Sequence, residues 1–180
     1  MRTLVGAVVL VGMLALSGCV DGDRIPTLPP APTATPLFAS EEEALAAAEE
    51  AYAAYLGASL LIGSDGGAEA GRIAPFVTEE RLEVELEAFA RLRESGLRVV
   101  GEASFQTKEI QTFDQSDEFA EITFYVCWDG SASRVIDATG ADVTPVDRAE
   151  RLVLEVVMVT AADSADFLLS SDEQWPGSDC

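Results

Sequence analysis

The sequence predicts an α+β domain in which N-terminal helices pack on a curved, mainly antiparallel sheet. Three observations lead there. Helical periodicity marks Glu41 to Leu61 and Glu79 to Ser95, period-two alternation begins only after Gly96, and the alternating segments follow one another with no helix between them. Helices first and consecutive strands afterwards give segregated layers, whereas strands alternating with helices would give a parallel sheet.

The chain begins with an address. Met1 to Thr3 carry one positive charge at Arg2, and Leu4 to Leu16 is an unbroken apolar or small run ending in Ser17, Gly18 and Cys19. That run falls short of the roughly 20 residues needed to span a bilayer, so residues 1–18 read as a signal peptide. Leu16-Ser17-Gly18-Cys19 resembles the bacterial lipobox, in which the cysteine is diacylated and becomes the new N-terminus. Cys19 is therefore the expected lipidation site, and the expected location is the extracytoplasmic side of the cell membrane. The other reading is an ordinary secreted protein. Residues 19–37 then hold Pro26, Pro29, Pro30, Pro32 and Pro36 without hydrophobic periodicity. Extended polyproline geometry makes this a spacer reaching up to roughly 50 Å. A ligand for an aromatic-lined groove is the alternative use of such a stretch.

Residues 38–180 form the expected globular domain. Ser40 followed by Glu43 is a capping box, and Leu45, Ala48, Tyr52, Tyr55, Leu56 and Ser59 recur at helical spacing, giving a helix from about Glu41 to Leu61. Gly63, Gly66, Gly67 and Gly71 mark a flexible connection. No strand precedes it and no Gly-Lys-Ser/Thr is present, so it is not a phosphate loop. Thr78 offers an N-cap to a second helix, Glu79 to Ser95, and Gly96 supplies its stop. Leu82, Leu86, Phe89, Ala90 and Leu92 form its apolar stripe. Glu79, Glu80, Glu83, Glu85, Glu87, Arg91, Arg93 and Glu94 form a solvated face, with a metal site as the sharper alternative.

From Ala120 to Trp128 the residues Ala120, Ile122, Phe124, Val126 and Trp128 point one way, and Glu121, Thr123, Tyr125 and Cys127 the other. Arg151 to Thr160 is apolar on both faces, as expected of a strand in the middle of a covered sheet. Further strands are expected at Leu97 to Phe113, at Ser133 to Asp137 turning near Gly140, and at Asp166 to Ser170. The turn chemistry of Ala161-Ala162-Asp163-Ser164 favours antiparallel neighbours.

Composition removes several functions. The 180 residues include 32 acidic against 11 basic side chains, a formal net charge of −21. Nucleic acid binding needs clustered Lys or Arg that release counterions, so no nucleic acid partner is expected. Anionic headgroups are repelled as well. There is no His, and Lys108 is the sole lysine. That excludes Ser-His-Asp hydrolysis, His-dependent dehydration and zinc proteolysis, and Phe105 stands where a Ser-x-x-Lys dyad would need serine. No calcium loop occurs; Asp114, Asp117 and Glu118 read as a polar turn. No metal and no cofactor are expected.

Once Cys19 is lipidated, Cys127 and Cys180 remain in an oxidising compartment, where one intramolecular disulfide is the expected pairing. A redox couple, a catalytic thiol and a metal pair are the alternatives. The first normally needs close spacing, the second a histidine, and zinc four ligands.

The Tyr-bearing first helix, the second helix ending in Gly96, Val126-Cys127-Trp128-Asp129, Val135-Ile136-Asp137-Ala138-Thr139-Gly140 and the last strand running on to Cys180 together resemble actinobacterial lipoproteins of the nuclear transport factor 2-like superfamily. The resemblance covers about Glu41 to Cys180 and implies a cone, with a sheet wrapped around helices so that it can enclose a pocket. Some members are isomerases that pair a carboxylate base with a tyrosine or protonated acid. Tyr52, Tyr55, Tyr125 and Asp137 have that chemistry and are the candidate pocket residues. None sits in a motif matching those enzymes, so no catalytic residue is assigned. The expected function is a non-catalytic, membrane-anchored domain that binds a small ligand or an envelope protein; the alternative is a His-free isomerase or lyase.

Overall fold

Helix α1, Glu41–Ser64, starts where the sequence places it. Ser40 is extended, its Oγ accepts from the Glu43 amide at 3.1 Å, and the Glu43 carboxylate reaches back to the Ala39 amide at 2.9 Å. Three glutamates in the first turn face the positive end of the helix dipole. The helix runs three residues past the expected end at Leu61. The computed structural model describes residues 35–162, 164–176 and 179–180. The signal segment 1–18, Cys19 and the stalk through residue 34 lie outside the described residues.

The glycine stretch is more ordered than expected. After α1 the chain turns through Gly66 and Gly67, both at positive φ, into a 3-10 turn at Ala70–Phe76 whose Ile73 is fully buried. A Cβ on Gly67 would lie 2.2 Å from the Phe89 carbonyl oxygen. Only glycine therefore lets this turn approach the second helix so closely.

Helix α2 spans Glu79–Ser95. Thr78 Oγ1 caps it through the Arg81 amide at 3.3 Å, and Gly96, at φ 70°, closes it. The expected stripe is corrected at two positions. Leu86 is exposed, and Glu85, assigned above to the solvated face, is only 6% exposed. The inward line is Leu82, Glu85, Phe89 and Leu92, buried at Glu85 and Phe89 and partly buried at its two ends, with three- and four-residue steps as regular as any apolar stripe.

Six strands follow: β1 Arg98–Val100, β2 Ser104–Gln115, β3 Ala120–Asp129, β4 Arg134–Ile136, β5 Arg151–Thr160 and β6 Phe167–Gln174. The long strand expected from Leu97 to Phe113 is broken at Gly101. That residue sits at φ 96°, and a Cβ there would meet the Ala132 carbonyl oxygen at 2.2 Å. The broken-off piece, β1, pairs with β4 as a separate antiparallel sheet. The main sheet has the order β2-β3-β5-β6 and is antiparallel throughout.

Three register shifts shape this sheet. Two lie in β2, where Lys108 and Gln111 are extra residues opposite β3. The third lies in β6: Val157 pairs with Ser171 while Met158 pairs with Leu169, which leaves Ser170 as the extra residue. Strict alternation from Phe167 and Leu169 would send Ser171 to the inner face. The bulge sends Asp172 there instead, opposite the fully buried Val156.

The core lies between the helices and the inner sheet face. Ala44, Ala48, Tyr52 and Ile62 of α1 meet Ile122, Phe124, Val126, Val156, Met158 and Leu169, all at 0–1% exposure. Tyr52 packs edge-on against Phe105 and Phe124, with ring centroids 4.9 and 6.4 Å away. Phe38 stacks on Phe167 at 5.2 Å, and its backbone exchanges two hydrogen bonds with the Gln115 amide. Among the described residues every buried core residue falls between Phe38 and Leu169, so residues 35–180 form one compact unit with its own core. On the outer face of the sheet, Cys127 of β3 and Cys180 form a disulfide with Cα atoms 5.4 Å apart. It ties the segment after β6 across Val153, to whose carbonyl the Trp175 amide donates at 2.8 Å.

Candidate functional site

A charged cluster sits between α1, α2 and β6, and local structure puts each member in place. The Thr78 amide donates to the Leu169 carbonyl at 3.0 Å, and Val77 bridges the same residue, so the start of α2 is pinned to β6. One turn into the helix, Arg81 then lies opposite Asp172, which the Ser170 bulge has turned inward. Arg81 Nη2 contacts Asp172 Oδ1 at 2.5 Å and Glu85 Oε1 at 2.7 Å, and its Nε donates to the same Glu85 oxygen at 2.8 Å. From α1, the Tyr55 hydroxyl donates to Glu85 Oε1 at 2.8 Å. The pair Arg81 and Glu85 is an i,i+4 pair like many on helix surfaces, but here both side chains are enclosed, at 17% and 7% exposure.

Burial sets the protonation states. Desolvation, reinforced by the negative charge of Asp172, lifts the Tyr52 hydroxyl far above the ordinary tyrosine value. Desolvation, Asp172 and Glu85 do the same for Tyr55. Both tyrosines are therefore neutral donors and not bases. Burial also raises Asp172, against the opposing pull of Arg81. Arg81 itself is disfavoured by burial, but Asp172, Tyr55 and Glu85 more than reverse that, and it holds its charge more firmly than a free arginine. Asp172 acts on the Tyr52 hydroxyl through its charge and through hydrogen-bonding proximity, but the contact does not meet strict hydrogen-bond geometry, so the hydroxyl has no well-formed partner among the described residues.

The four candidate pocket residues do not converge. Tyr52 and Tyr55 share the inner cluster, stacked at 5.9 Å. Tyr125 lies on the outer sheet face, where it packs on Trp175 at 5.1 Å, and its hydroxyl is raised by partial desolvation and by Glu155. Asp137 belongs to the turn after β4. Its Oδ1 accepts from the Thr139 hydroxyl at 2.7 Å and from the Thr139 and Ala141 amides at 2.8 and 3.0 Å, which lowers its pKa. It is a turn-forming aspartate. Sequence reading missed Arg81 and Asp172 and gave Glu85 the opposite environment. The signal for Glu85 was its place between Leu82 and Phe89. Asp172 had none, because a bulge decides its face.

The cluster is poorly arranged for acid-base chemistry. A general base must reach a substrate proton, and here both carboxylates are engaged by one guanidinium and only 7% and 14% exposed. Among the described residues no group of three or more Cys, Asp or Glu side chains is placed to hold a metal ion. No helix among them is long and apolar enough to cross a membrane.

The open spaces lie elsewhere. A polar concavity of about 620 Å³ is lined by Arg134, Asp142, Arg148 and Glu150 on the β4–β5 connection. One of about 490 Å³ lies beside the disulfide, between Arg151 and Trp175. A smaller recess of about 210 Å³ is apolar and opens between α1, α2, β1 and Trp128. None of these three is lined by Tyr52, Tyr55, Arg81, Glu85 or Asp172. No protein-family model matches the chain, and no curated protein matches it.

Proposed function

We propose that this chain is an extracytoplasmic lipoprotein, anchored in the cell membrane through Cys19 and carried on the 19–37 stalk, whose 38–180 domain binds a small ligand or an envelope protein without transforming it. The observation that carries the binding reading is the occupied interior. Arg81 is bonded to both Glu85 and Asp172, and Tyr52 fills the space beside them at 0% exposure. A catalytic pocket needs a reachable group with unspent proton affinity, and these groups are spent on one another. Two helices against a four-stranded antiparallel sheet also support a nuclear transport factor 2-like cone, here with its interior filled.

Two measurements test this reading. Detergent partitioning compares the wild type with Cys19→Ala; the wild type enters the detergent phase and the variant stays in water. Wild type in the aqueous phase would remove the anchor. The second is a small-molecule turnover screen with Tyr52→Phe, Tyr55→Phe and Asp137→Asn. Turnover abolished by any one of these would replace the binding reading with a His-free isomerase or lyase, the reading that the short Tyr55–Glu85 contact favours.

A further inference from the structure

We propose that the apolar recess beside α1 is a binding groove for a single alkyl chain bearing an uncharged head. The inference deepens the binding reading above and rests on it only in taking the domain as a binding module. Along α1, the residues Leu56, Ser59, Leu60 and Gly63 follow at i, i+3, i+4 and i+7 and form one wall of the 210 Å³ recess. Phe89 and Leu92 of α2 form the opposite wall, and Val99 and Trp128 close the end. A second concavity, of about 320 Å³, shares Leu56, Leu60 and Ala103 and continues past Gly57 to Ala53 and Phe105. The two make one groove that follows α1 from Gly63 to Ala53, about 15 Å at the rise of a helix.

The space is built in. A Cβ added to Gly57 would meet nothing within 4 Å, and the lining beside it is made of the small side chains of Ala53 and Ala103. The end wall is rigid, because Trp128 lies directly over Gly130, where a Cβ would fall 2.2 Å from the indole. Leu56, Leu60, Leu92, Val99 and Trp128 are each only partly covered, although the core next to them is closed. A bound alkyl chain would take their remaining apolar surface from water, the main driving force for such sites.

Shape and charge choose the occupant. An α-helix, about 10 Å across with its side chains, is too thick to enter the part of the groove enclosed between α1, α2 and Trp128, which holds only about 210 Å³. The groove is long and narrow, which suits an extended chain better than a compact ring system. No charged side chain lines either part, and Ser59 and Ser104 bring the only hydroxyls. A charged head finds no counter-charge there, and a net charge of −21 disfavours an anionic head further.

The test uses residues 35–180 carrying Trp175→Phe, which leaves Trp128 as the sole tryptophan. Bromine-tipped decanol quenches an indole only on contact. Titration is expected to give saturable quenching of Trp128, and Gly57→Leu and Ala103→Leu are each expected to weaken it at least tenfold, with an unchanged circular dichroism spectrum showing that both variants fold. Quenching that never saturates, or a curve indifferent to both fillings, overturns the groove. Bromine-tipped decanoate binding more tightly than the alcohol overturns the uncharged head. Phosphatidylcholine vesicles with brominated acyl chains set the limit of the proposal: their heads are zwitterionic and each lipid carries two chains, so vesicles are expected to quench Trp128 far less than the free alcohol does, and equal quenching by vesicles overturns the single chain with an uncharged head. Loss of the Cys19 anchor in the partitioning assay would leave these results standing, and an anchored protein that binds no decanol would fail this inference alone.

Discussion

On the inner face of the four-stranded sheet, α2 is joined to β6 by Arg81 reaching Asp172; on the outer face, the segment after β6 is joined to β3 by the disulfide between Cys127 and Cys180. One link is ionic and enclosed, the other covalent and at the surface. The difference follows from water. An ion pair at 17% and 14% exposure lies in a medium where charges interact strongly and where losing one partner strands the other. The outer face has ion pairs too, such as Arg151 with Asp129 at 3.4 Å, but at 51% and 34% exposure water screens them. A covalent link does not depend on the dielectric around it.

The largest expected effect is on the inner link. Arg81→Ala leaves two carboxylates without their counter-charge and is expected to cost about 3–5 kcal/mol, read from the urea midpoint of the 35–180 domain. A shift below about 1 kcal/mol would mean that water reaches the cluster. Cys180→Ala is expected to cost about 2–4 kcal/mol, since the bridge closes a loop between residues 53 apart. If it cost more than Arg81→Ala, the ranking of the two faces would invert.

Within the inner cluster the two tyrosines separate. Tyr55→Phe withdraws a hydrogen bond from Glu85 and is expected to cost about 1–2 kcal/mol, while Tyr52→Phe, which removes a hydroxyl with no described partner, is expected to stay within about 0.5 kcal/mol of wild type. Equal losses would show that the Tyr52 hydroxyl is engaged after all. At the surface, Arg91→Ala breaks the pair with Glu87, exposed at 62% and 74%, and is expected to change the midpoint by about 0.3 kcal/mol.

The finest test is a slope with pH. Asp172 is raised in the folded state by burial, so its contribution is most favourable in acid and fades as pH rises through its folded pKa. Wild-type stability relative to Asp172→Asn should therefore fall as pH rises above the usual carboxylate range. Asp129, on the outer face, is lowered by the Ser131 hydroxyl and amide, so its contribution is present above the ordinary value and is lost on acidification. Stability relative to Asp129→Asn should rise with pH. Two slopes of the same sign in paired denaturation series would erase the contrast.

Much of the fold was legible because local rules and burial agree. The Ser40 and Thr78 caps, the Gly96 stop and the alternation of β3 and β5 each follow from one residue's geometry or from a period. Legibility fails where two distant backbones meet. Gly101 interrupts a good strand pattern because Ala132 lies against it, and Gly67 orders an apparent linker because Phe89 does. The site was half visible. Tyr52 and Tyr55 stand out as polar-tipped rings on an apolar face, but their partners depend on a Glu that resembles its solvated neighbours and on an Asp whose direction is set by a one-residue bulge.

The two extra residues of β2 bear on how this protein behaves among its own copies. β2 is an edge of the main sheet and, at 12 residues, its longest strand, so its outward amides and carbonyls could template another chain. Lys108 and Gln111 interrupt that template at two places, and the first interruption carries the protein's single lysine. The longest uninterrupted runs of β2 are then the four-residue stretches 104–107 and 112–115, which shortens any in-register pairing with a second β2. When two copies of the domain meet edge to edge, an edge kinked in this way keeps the encounter from growing into a shared sheet.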